Sequence, residues 1–132
     1  PLGTLYHGTK FAVEGISEAL SYEVEQFGAK VKIVEPGAIA TDFAGRSLDF
    51  SNDESMTEYQ ELVKKLNEGM PAFYGNASPA SVVAEVIYEA ATDGTHRLRY
   101  TAGEDAKDII TQRKETDDDG FFLGIKTLFK LD

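Results

Sequence analysis

The spacing of apolar residues predicts a long amphipathic helix near the start of the chain. Between residues 13 and 27 they recur three or four positions apart, which is the repeat of one helical face. This stripe consists of Val13, Ile16, Leu20, Val24 and Phe27. Gly28 follows and can take the left-handed conformation that ends many helices. We therefore expect a helix over residues 3–27 that buries one face.

Two short segments predict strands. The first, residues 31–35, is rich in β-branched residues and runs into Pro36, which has no N–H to donate to a sheet. The second, residues 97–102, follows a helix that we expect to begin at Ser78-Pro79 and to end at Asp93-Gly94. Strands joined through helices pair in parallel. A parallel pair needs further strands and cover on both faces, so we expect additional strands of this sheet to lie outside these 132 residues.

The rest of the chain predicts one loop, one short helix and a C-terminal tail. Residues 37–54 have weak periodicity and predict a long loop. Residues 55–58 form a capping-box pattern, which predicts a helix that starts there and ends at Gly69. Beyond residue 103 we expect a short helix, an acidic solvated turn at residues 117–119 and a packed aromatic tail.

Composition and charge narrow the classes of function. Apolar residues make up 42% of the chain and charged residues 27%, values typical of a globular protein. The net charge of −10 opposes binding to nucleic acid or to an anionic membrane. The sequence has no cysteine, which fits a cytoplasmic location. Its two histidines, His7 and His96, are far apart, so we expect no metal site.

The first candidate for chemistry is the pair Tyr6 and Lys10. Residues four apart share one helical face. A free phenol, with a pKa near ~10, is a poor base at neutral pH. An ammonium ~4 Å away, at an effective dielectric constant of ~20, favours the phenolate by ~4 kcal/mol. The pair therefore suits general acid–base work, although a solvated surface pair is the commoner reason for so short a pattern.

The second candidate is the segment PGAIAT, which follows the first predicted strand. Pro36-Gly37 alone indicates a turn. At the carboxyl end of a parallel strand, however, Gly37 would let the backbone approach a bulky ligand. The hydroxyl and N–H of Thr41 would then point toward the same ligand.

Taken together, the motifs YHGTK and PGAIAT, separated by a helix and a strand, resemble the C-terminal half of a short-chain dehydrogenase/reductase. This resemblance implies an α/β fold, the C-terminal part of a Rossmann-type doubly wound parallel sheet. The Gly-rich cofactor-binding half of that family has no counterpart here, since five residues precede Tyr6. We therefore expect residues 1–132 to be a single partial domain of a longer chain, inactive alone.

The resemblance also implies a function and roles for individual residues. Such enzymes transfer a hydride between NAD or NADP and a carbonyl or alcohol substrate, with Tyr6 as general acid or base. Lys10 would favour the phenolate and bind the nicotinamide ribose. The expected cofactor-binding residues are Tyr6, Lys10, Pro36, Gly37, Ile39 and Thr41, and the expected substrate-pocket residues are Phe43, Met70 and Phe73.

Two alternatives remain open. A sugar-nucleotide epimerase of the extended type shares Y-x-x-x-K, but normally lacks the Pro-Gly segment and has a longer C-terminal domain. A non-catalytic helical interaction module is the alternative from a different class. In the family that the chain resembles, the helix over residues 3–27 commonly packs against its copy, so we also expect a homo-oligomer through this helix.

Overall fold

In the computed structural model, residues 1–131 are described, apart from the side chains of Ala44 and Phe73. The helices are α1 (Thr4–Glu25), α2 (Thr57–Tyr74), α3 (Ala80–Thr92), α4 (Glu104–Glu115) and α5 (Asp118–Leu128). The strands are β1 (Ile33–Pro36), β2 (Ile39–Ala40), β3 (Ser78–Pro79) and β4 (Arg99–Ala102). A short π-helical turn, Phe43–Ser47, lies between β2 and α2. The α/β fold expected from the sequence is confirmed.

The strands form two parallel pairs. β1 lies beside β4, with Ile33 opposite Arg99 and Pro36 opposite Ala102. β2 lies beside β3, with Ile39 opposite Ser78. The parallel pairing predicted from the helical connections is therefore correct, and it places the carboxyl ends of β1 and β4 at one edge of the sheet.

The buried apolar residues gather mainly around β1 and β4. Helix α3 packs against both strands and α4 packs against β4. The buried apolar residues are Ile33, Ala38, Ala90, Tyr100, Ala102, Ala106 and Phe129. All of them except Phe129 lie in or next to β1 and β4, or on the helices that cover these strands. The small side chains bring α3 and α4 close to the strands.

Helix α1 has the predicted length but not the predicted burial. Its N-cap is Gly3 and no side chain caps it, while Gly28 has a positive φ of 74° and follows its end. Among the described residues, α1 has none that is buried, and Ile16 is 66% exposed. The reason is geometric. Adjacent strands lie ~4.8 Å apart, so a two-stranded sheet is too narrow to cover a helix of this length.

Helix α2 differs from its predicted limits at both ends. Its N-cap is Met56, because Ser55 instead bonds to the Asp53 carboxylate through its N–H and its hydroxyl. The helix also continues past Gly69 to Tyr74. A Cβ on Gly69 would lie 3.0 Å from Cδ1 of Phe129, which is 8% exposed. Gly69 therefore makes room for the packed C-terminal tail and does not end the helix.

The acidic segment at residues 117–119 begins a helix. The Asp117 carboxylate accepts a hydrogen bond of 2.8 Å from the N–H of Gly120 and so caps α5. Asp118 and Asp119 then lie in the first turn, where negative charge is favourable. The solvated turn expected there is thus the N-terminus of α5.

A polar cluster closes the opposite edge of the sheet, where β4 begins. The Tyr100 side chain is 1% exposed, and its hydroxyl donates a hydrogen bond to the Asp93 carboxylate. Lys32 donates to the Tyr100 hydroxyl at 2.8 Å and to the carbonyls of Thr95 and Arg97 at 2.9 and 3.0 Å. The Arg97 guanidinium lies 4.2 Å from the Tyr100 ring centroid. The cluster joins the start of β1 to the turn between α3 and β4.

Replacing Asp93 with Asn should lower the free energy of unfolding at neutral pH. It should also reduce the loss of that free energy on acidification. Hydrogen bonds from the Tyr100 hydroxyl, then from the Thr95 N–H and hydroxyl and from Lys32, hold the pKa of the Asp93 carboxyl well below its usual range. Such a carboxylate stabilises the fold above its unfolded pKa of about 3.9, and this stabilisation is lost as the pH falls toward the folded pKa. Urea unfolding at pH 7 and at steps below about pH 4 measures the effect.

Asp108→Asn is the matched control, because Asp108 is an exposed carboxylate on α4. We expect it to change the free energy of unfolding by less than about 0.5 kcal/mol. If Asp93→Asn and the wild type lost stability equally on acidification, the assigned role of the Asp93 carboxylate would be wrong.

Candidate active site

The carboxyl edge of the sheet is built around residues 37–41, which we call the 37–41 segment. At this edge β1 and β4 end side by side. The Gly37 N–H donates a hydrogen bond of 2.9 Å to the Ala102 carbonyl, at the end of β4. The Ala38 carbonyl accepts one of 2.9 Å from the N–H of Ser78. The 37–41 segment is thereby fixed across the end of β4 and along β3.

A carboxylate that sequence reasoning missed lies against this segment. Asp105, in the first turn of α4, accepts a hydrogen bond of 2.6 Å from the Ala38 N–H through its Oδ2 atom. A Cβ on Gly37 would collide with the Asp105 carboxyl group, and one on Gly103 would lie 2.7 Å from Oδ1. The room beside Gly37, which we expected to admit a ligand, is thus taken up by Asp105. The signal in the sequence was an acidic residue three positions beyond the end of β4.

The side chains of Tyr6 and Lys10 lie on one face of α1, as the spacing predicted. The Lys10 Nζ atom is 5.5 Å from the Tyr6 ring centroid. The Phe43 ring lies 6.3 Å from the Tyr6 ring, and the His7 ring lies edge-on to it at 5.7 Å. Tyr6 is 49% exposed and therefore accessible to a ligand. The fold thus brings the start of α1 next to the residues that follow PGAIAT.

The other residues expected to bind a cofactor lie along the same edge. Pro36 is exposed at the end of β1, and Ile39 is half-buried in β2. The Thr41 N–H donates to the Ile39 carbonyl at 2.8 Å, and the Thr41 hydroxyl accepts from the Phe43 N–H at 3.4 Å. Thr41 is exposed, so its hydroxyl proton remains able to donate to a bound molecule.

The structure describes the side chains of two of the three residues expected to line the substrate pocket. Phe43 contacts Tyr6, as described above, and is 42% exposed. Met70 is half-buried on α2, and the side chain of Phe73 lies outside the described residues. A groove of about 210 Å³ between the chain start and the beginning of α2 was not foreseen. Its lining includes Leu2, Phe50, Met56 and Tyr59.

Ion pairs tie α1 to the strands. Arg99 on β4 contacts Glu14 at 3.1 Å and Glu18 at 2.6 Å, and lies 4.0 Å from Glu35 on β1. Burial raises the pKa of the Glu35 carboxyl, the nearby Glu14 charge raises it further, and the Arg99 and Lys114 charges oppose this. The helix that carries Tyr6 and Lys10 is therefore anchored to the sheet by one arginine shared among three carboxylates.

Residues 1–131 contain neither a candidate metal cluster nor a candidate membrane-spanning helix. This part of the chain holds no cluster of three or more His, Asp or Glu side chains suited to a metal ion. Nor does it contain a helix whose length and apolar character would let it cross a membrane.

Comparison with known proteins gives relatives but no matching family model. Two uncharacterized oxidoreductases of Schizosaccharomyces pombe are 43% identical to this chain over 121 residues, which is 92% of the chain and 50% of each relative. The 17-beta-hydroxysteroid dehydrogenase type 6 of Mus musculus is 31% identical over 116 residues, covering 80% of the chain and 37% of that protein. An NADPH-dependent 3-dehydrocapnine reductase of Ornithobacterium rhinotracheale is 30% identical over 95 residues, covering 72% and 34%.

The aligned regions differ in extent. The chain spans about half the length of the Schizosaccharomyces relatives, and less of the other two. Nearly the whole chain takes part in the alignment with the Schizosaccharomyces proteins. Since 92% of the chain is aligned with those two proteins, the similarity includes the 37–41 segment.

Arg99→Gln should loosen α1 and lower stability by about 1 kcal/mol at pH 7, a small value because Arg99 is 40% exposed and solvent screens its ion pairs. The loss should be smaller at pH 5. The Glu35 carboxyl has a raised folded-state pKa, so its charged form opposes folding at high pH, and removing Arg99 strengthens that opposition until Glu35 is protonated. Urea unfolding at the two pH values measures both effects.

Arg46→Gln provides the matched control, since Arg46 pairs with Asp42 four residues earlier in an exposed segment. This substitution should lower the free energy of unfolding by less than about 0.5 kcal/mol. The loss should be independent of α1, because among the described residues Arg46 makes no ion pair with that helix. Equal costs for the two variants at both pH values would show that Arg99 does not anchor the helix.

Proposed function

The chain belongs to the short-chain dehydrogenase/reductase family, and from this premise we propose that the whole protein is an oxidoreductase dependent on NAD or NADP. Its substrate is a carbonyl compound or an alcohol. Residues 1–132 form the C-terminal half of a single nicotinamide-binding domain and do not turn over alone. The observation that carries the proposal is the contact of Tyr6, which has Lys10 beside it, with Phe43 in the chain that follows β1 and β2.

The residues at this edge fit the nicotinamide end of such a cofactor. Thr41 offers an exposed hydroxyl, and Lys10 an exposed ammonium. Pro36 and Gly37 mark the carboxyl end of β1, where ligands of open α/β sheets bind. Ile39 contributes through its backbone. When bound, the cofactor supplies or accepts the hydride.

Tyr6 moves the proton. In reduction its hydroxyl donates a proton to the carbonyl oxygen of the substrate, and in oxidation the phenolate takes the proton from the alcohol. The Lys10 Nζ atom lies 5.5 Å from the Tyr6 ring centroid and supplies a positive charge beside the group that transfers the proton. It also binds the nicotinamide ribose. Because both side chains extend from one rigid helix, their spacing does not depend on the mobility of a loop.

The substrate pocket lies on the side of Tyr6 where Phe43 sits. Phe43 and Met70 supply its apolar wall, and the segment from Phe43 to α2 serves as its lid. One relative is NADPH-dependent by name, which supports a nicotinamide cofactor without choosing between NAD and NADP here. A cytoplasmic location stays part of the proposal and rests on the absence of cysteine.

Replacing Tyr6 with Phe in the whole protein should reduce kcat by a factor of about 10²–10⁴, because general acid catalysis is lost. Cofactor affinity should remain nearly unchanged, since the ring and Lys10 remain. Turnover is measured with NADH and NADPH against a panel of ketones and aldehydes. Affinity is measured by the fluorescence of the reduced nicotinamide.

Tyr22→Phe is the control for this substitution, because Tyr22 is a 72% exposed tyrosine on the same helix. It should leave both quantities unchanged. Substantial residual turnover in Tyr6→Phe would reject Tyr6 as the acid. A wild-type protein that binds neither NADH nor NADPH would reject the proposed function itself.

A second candidate function is self-association through α1. The residues Leu5, Ile16 and Leu20 form an outer stripe on the side of α1 away from Glu14 and Glu18. They are 87%, 66% and 42% exposed. An apolar stripe of this kind marks an interaction surface. We propose that it packs against its copy in a homo-oligomer, which fits the helical interaction module considered above.

Ile16→Glu should shift the whole protein toward the monomer in sedimentation velocity, because two copies of the new charge would face each other across the symmetric contact. Tyr88→Glu, at a 72% exposed site on α3, should leave the oligomer intact. An oligomer that survives Ile16→Glu would exclude this surface. Self-association without any binding of nicotinamide cofactors would favour the interaction module over the enzyme.

A further inference from the structure

The Asp105 carboxylate occupies a position that the proposed chemistry does not yet use. Its Oδ2 atom accepts the 2.6 Å hydrogen bond from the Ala38 N–H. Its Oδ1 atom is buried and has no hydrogen-bond partner among the residues that the structure describes. Ala38 is 4% exposed, so without Asp105 its N–H would be buried and unpaired. A charged acceptor makes this hydrogen bond stronger than one between neutral groups.

The backbone around Asp105 is shaped to receive it. Gly103 has a φ of 104°, a backbone conformation that residues with a side chain rarely adopt. It lies between the end of β4 and the start of α4. Asp105 is thereby directed back toward the end of the sheet, in the first turn of a helix whose N-terminus favours negative charge. The missing side chains of Gly37 and Gly103 provide the space for its carboxyl group.

We propose that Asp105 is the positioning residue of the 37–41 segment. This inference rests on the function proposed above, in which that segment holds the nicotinamide end of the cofactor. Asp105 touches neither cofactor nor substrate. It fixes the backbone at Ala38. Ile39 and Thr41, which would bind the cofactor through a backbone group and a hydroxyl, lie only one and three residues further along the chain. A displacement of about 1 Å in such a segment is enough to lose on the order of a hundredfold in rate.

The first test compares Asp105→Ala, Asp105→Asn and the matched control Asp108→Ala in the whole protein. Asp105→Ala should weaken NADH or NADPH binding by about tenfold or more, as expected when a hydrogen bond to a charged group is lost. Asp105→Asn retains an oxygen that can accept from the Ala38 N–H, so it should restore most of the affinity. Asp108→Ala, on the exposed side of α4, should bind as the wild type does.

Amide hydrogen exchange at Ala38 provides a readout that does not need a cofactor. It should be slow in the wild type and in Asp108→Ala, and much faster in Asp105→Ala. The unfolding midpoint, measured on the same samples, identifies any variant that fails to fold. If Asp105→Ala fails to fold, Asp105→Asn is measured in its place. The Ala38 amide of Asp105→Asn should exchange nearly as slowly as that of the wild type.

The second test uses the close approach of Gly37 to Asp105. Gly37→Ala adds a Cβ that collides with the carboxyl group, so it should displace the segment and weaken cofactor binding strongly. In an Asp105→Ala background the collision is gone, and Gly37→Ala should have a much smaller further effect. This non-additivity is expected only if the two residues are in direct contact.

The outcomes separate the two proposals. If the wild type binds neither NADH nor NADPH, the proposed function fails, while hydrogen exchange at the Ala38 amide still tests whether Asp105 holds the 37–41 segment. If the wild type binds and a folded Asp105→Ala binds equally well, only the role of Asp105 is overturned. Additive effects of Gly37→Ala and Asp105→Ala would also overturn it.

Discussion

The parallel pairing of β1 with β4 is the constraint on which the rest of the structure depends. Because the two strands run in the same direction, both end at one edge of the sheet, with Pro36 opposite Ala102. The residues that follow each strand must then meet. Gly37 bonds to the end of β4, and Asp105 returns from the start of α4 to hold Ala38. An antiparallel pair would have separated these segments by the length of a strand.

The helix that carries the proposed acid is attached to this sheet mainly through charge. Arg99 joins Glu14 and Glu18 to β4, while the described part of α1 has no buried residue. Surface ion pairs are weak, so this attachment alone gives little rigidity. An acid–base pair needs a fixed position, and we therefore infer that the outer stripe of α1 is packed against further protein in the working assembly.

The sequence predicted those features that depend on local chemistry. The Tyr6–Lys10 spacing, the strand ended by Pro36 and the left-handed Gly28 all follow from the residue types themselves. The end of α2 could not be predicted, because Gly69 is there for Phe129, sixty positions away. Asp105 was missed for the same reason. Its partner at Ala38 becomes visible only once the two strands are placed side by side.

The central claim is that a nicotinamide cofactor binds at the carboxyl edge of the sheet. Hydrogen exchange of the whole protein, with and without saturating NADH or NADPH, tests it most directly. We predict slower exchange at residues 37–41 and at the start of α1, with no change around Asp93 and Tyr100 at the opposite edge. Slower exchange at that opposite edge, or unchanged exchange at residues 37–41 when the cofactor is bound, would contradict the claim.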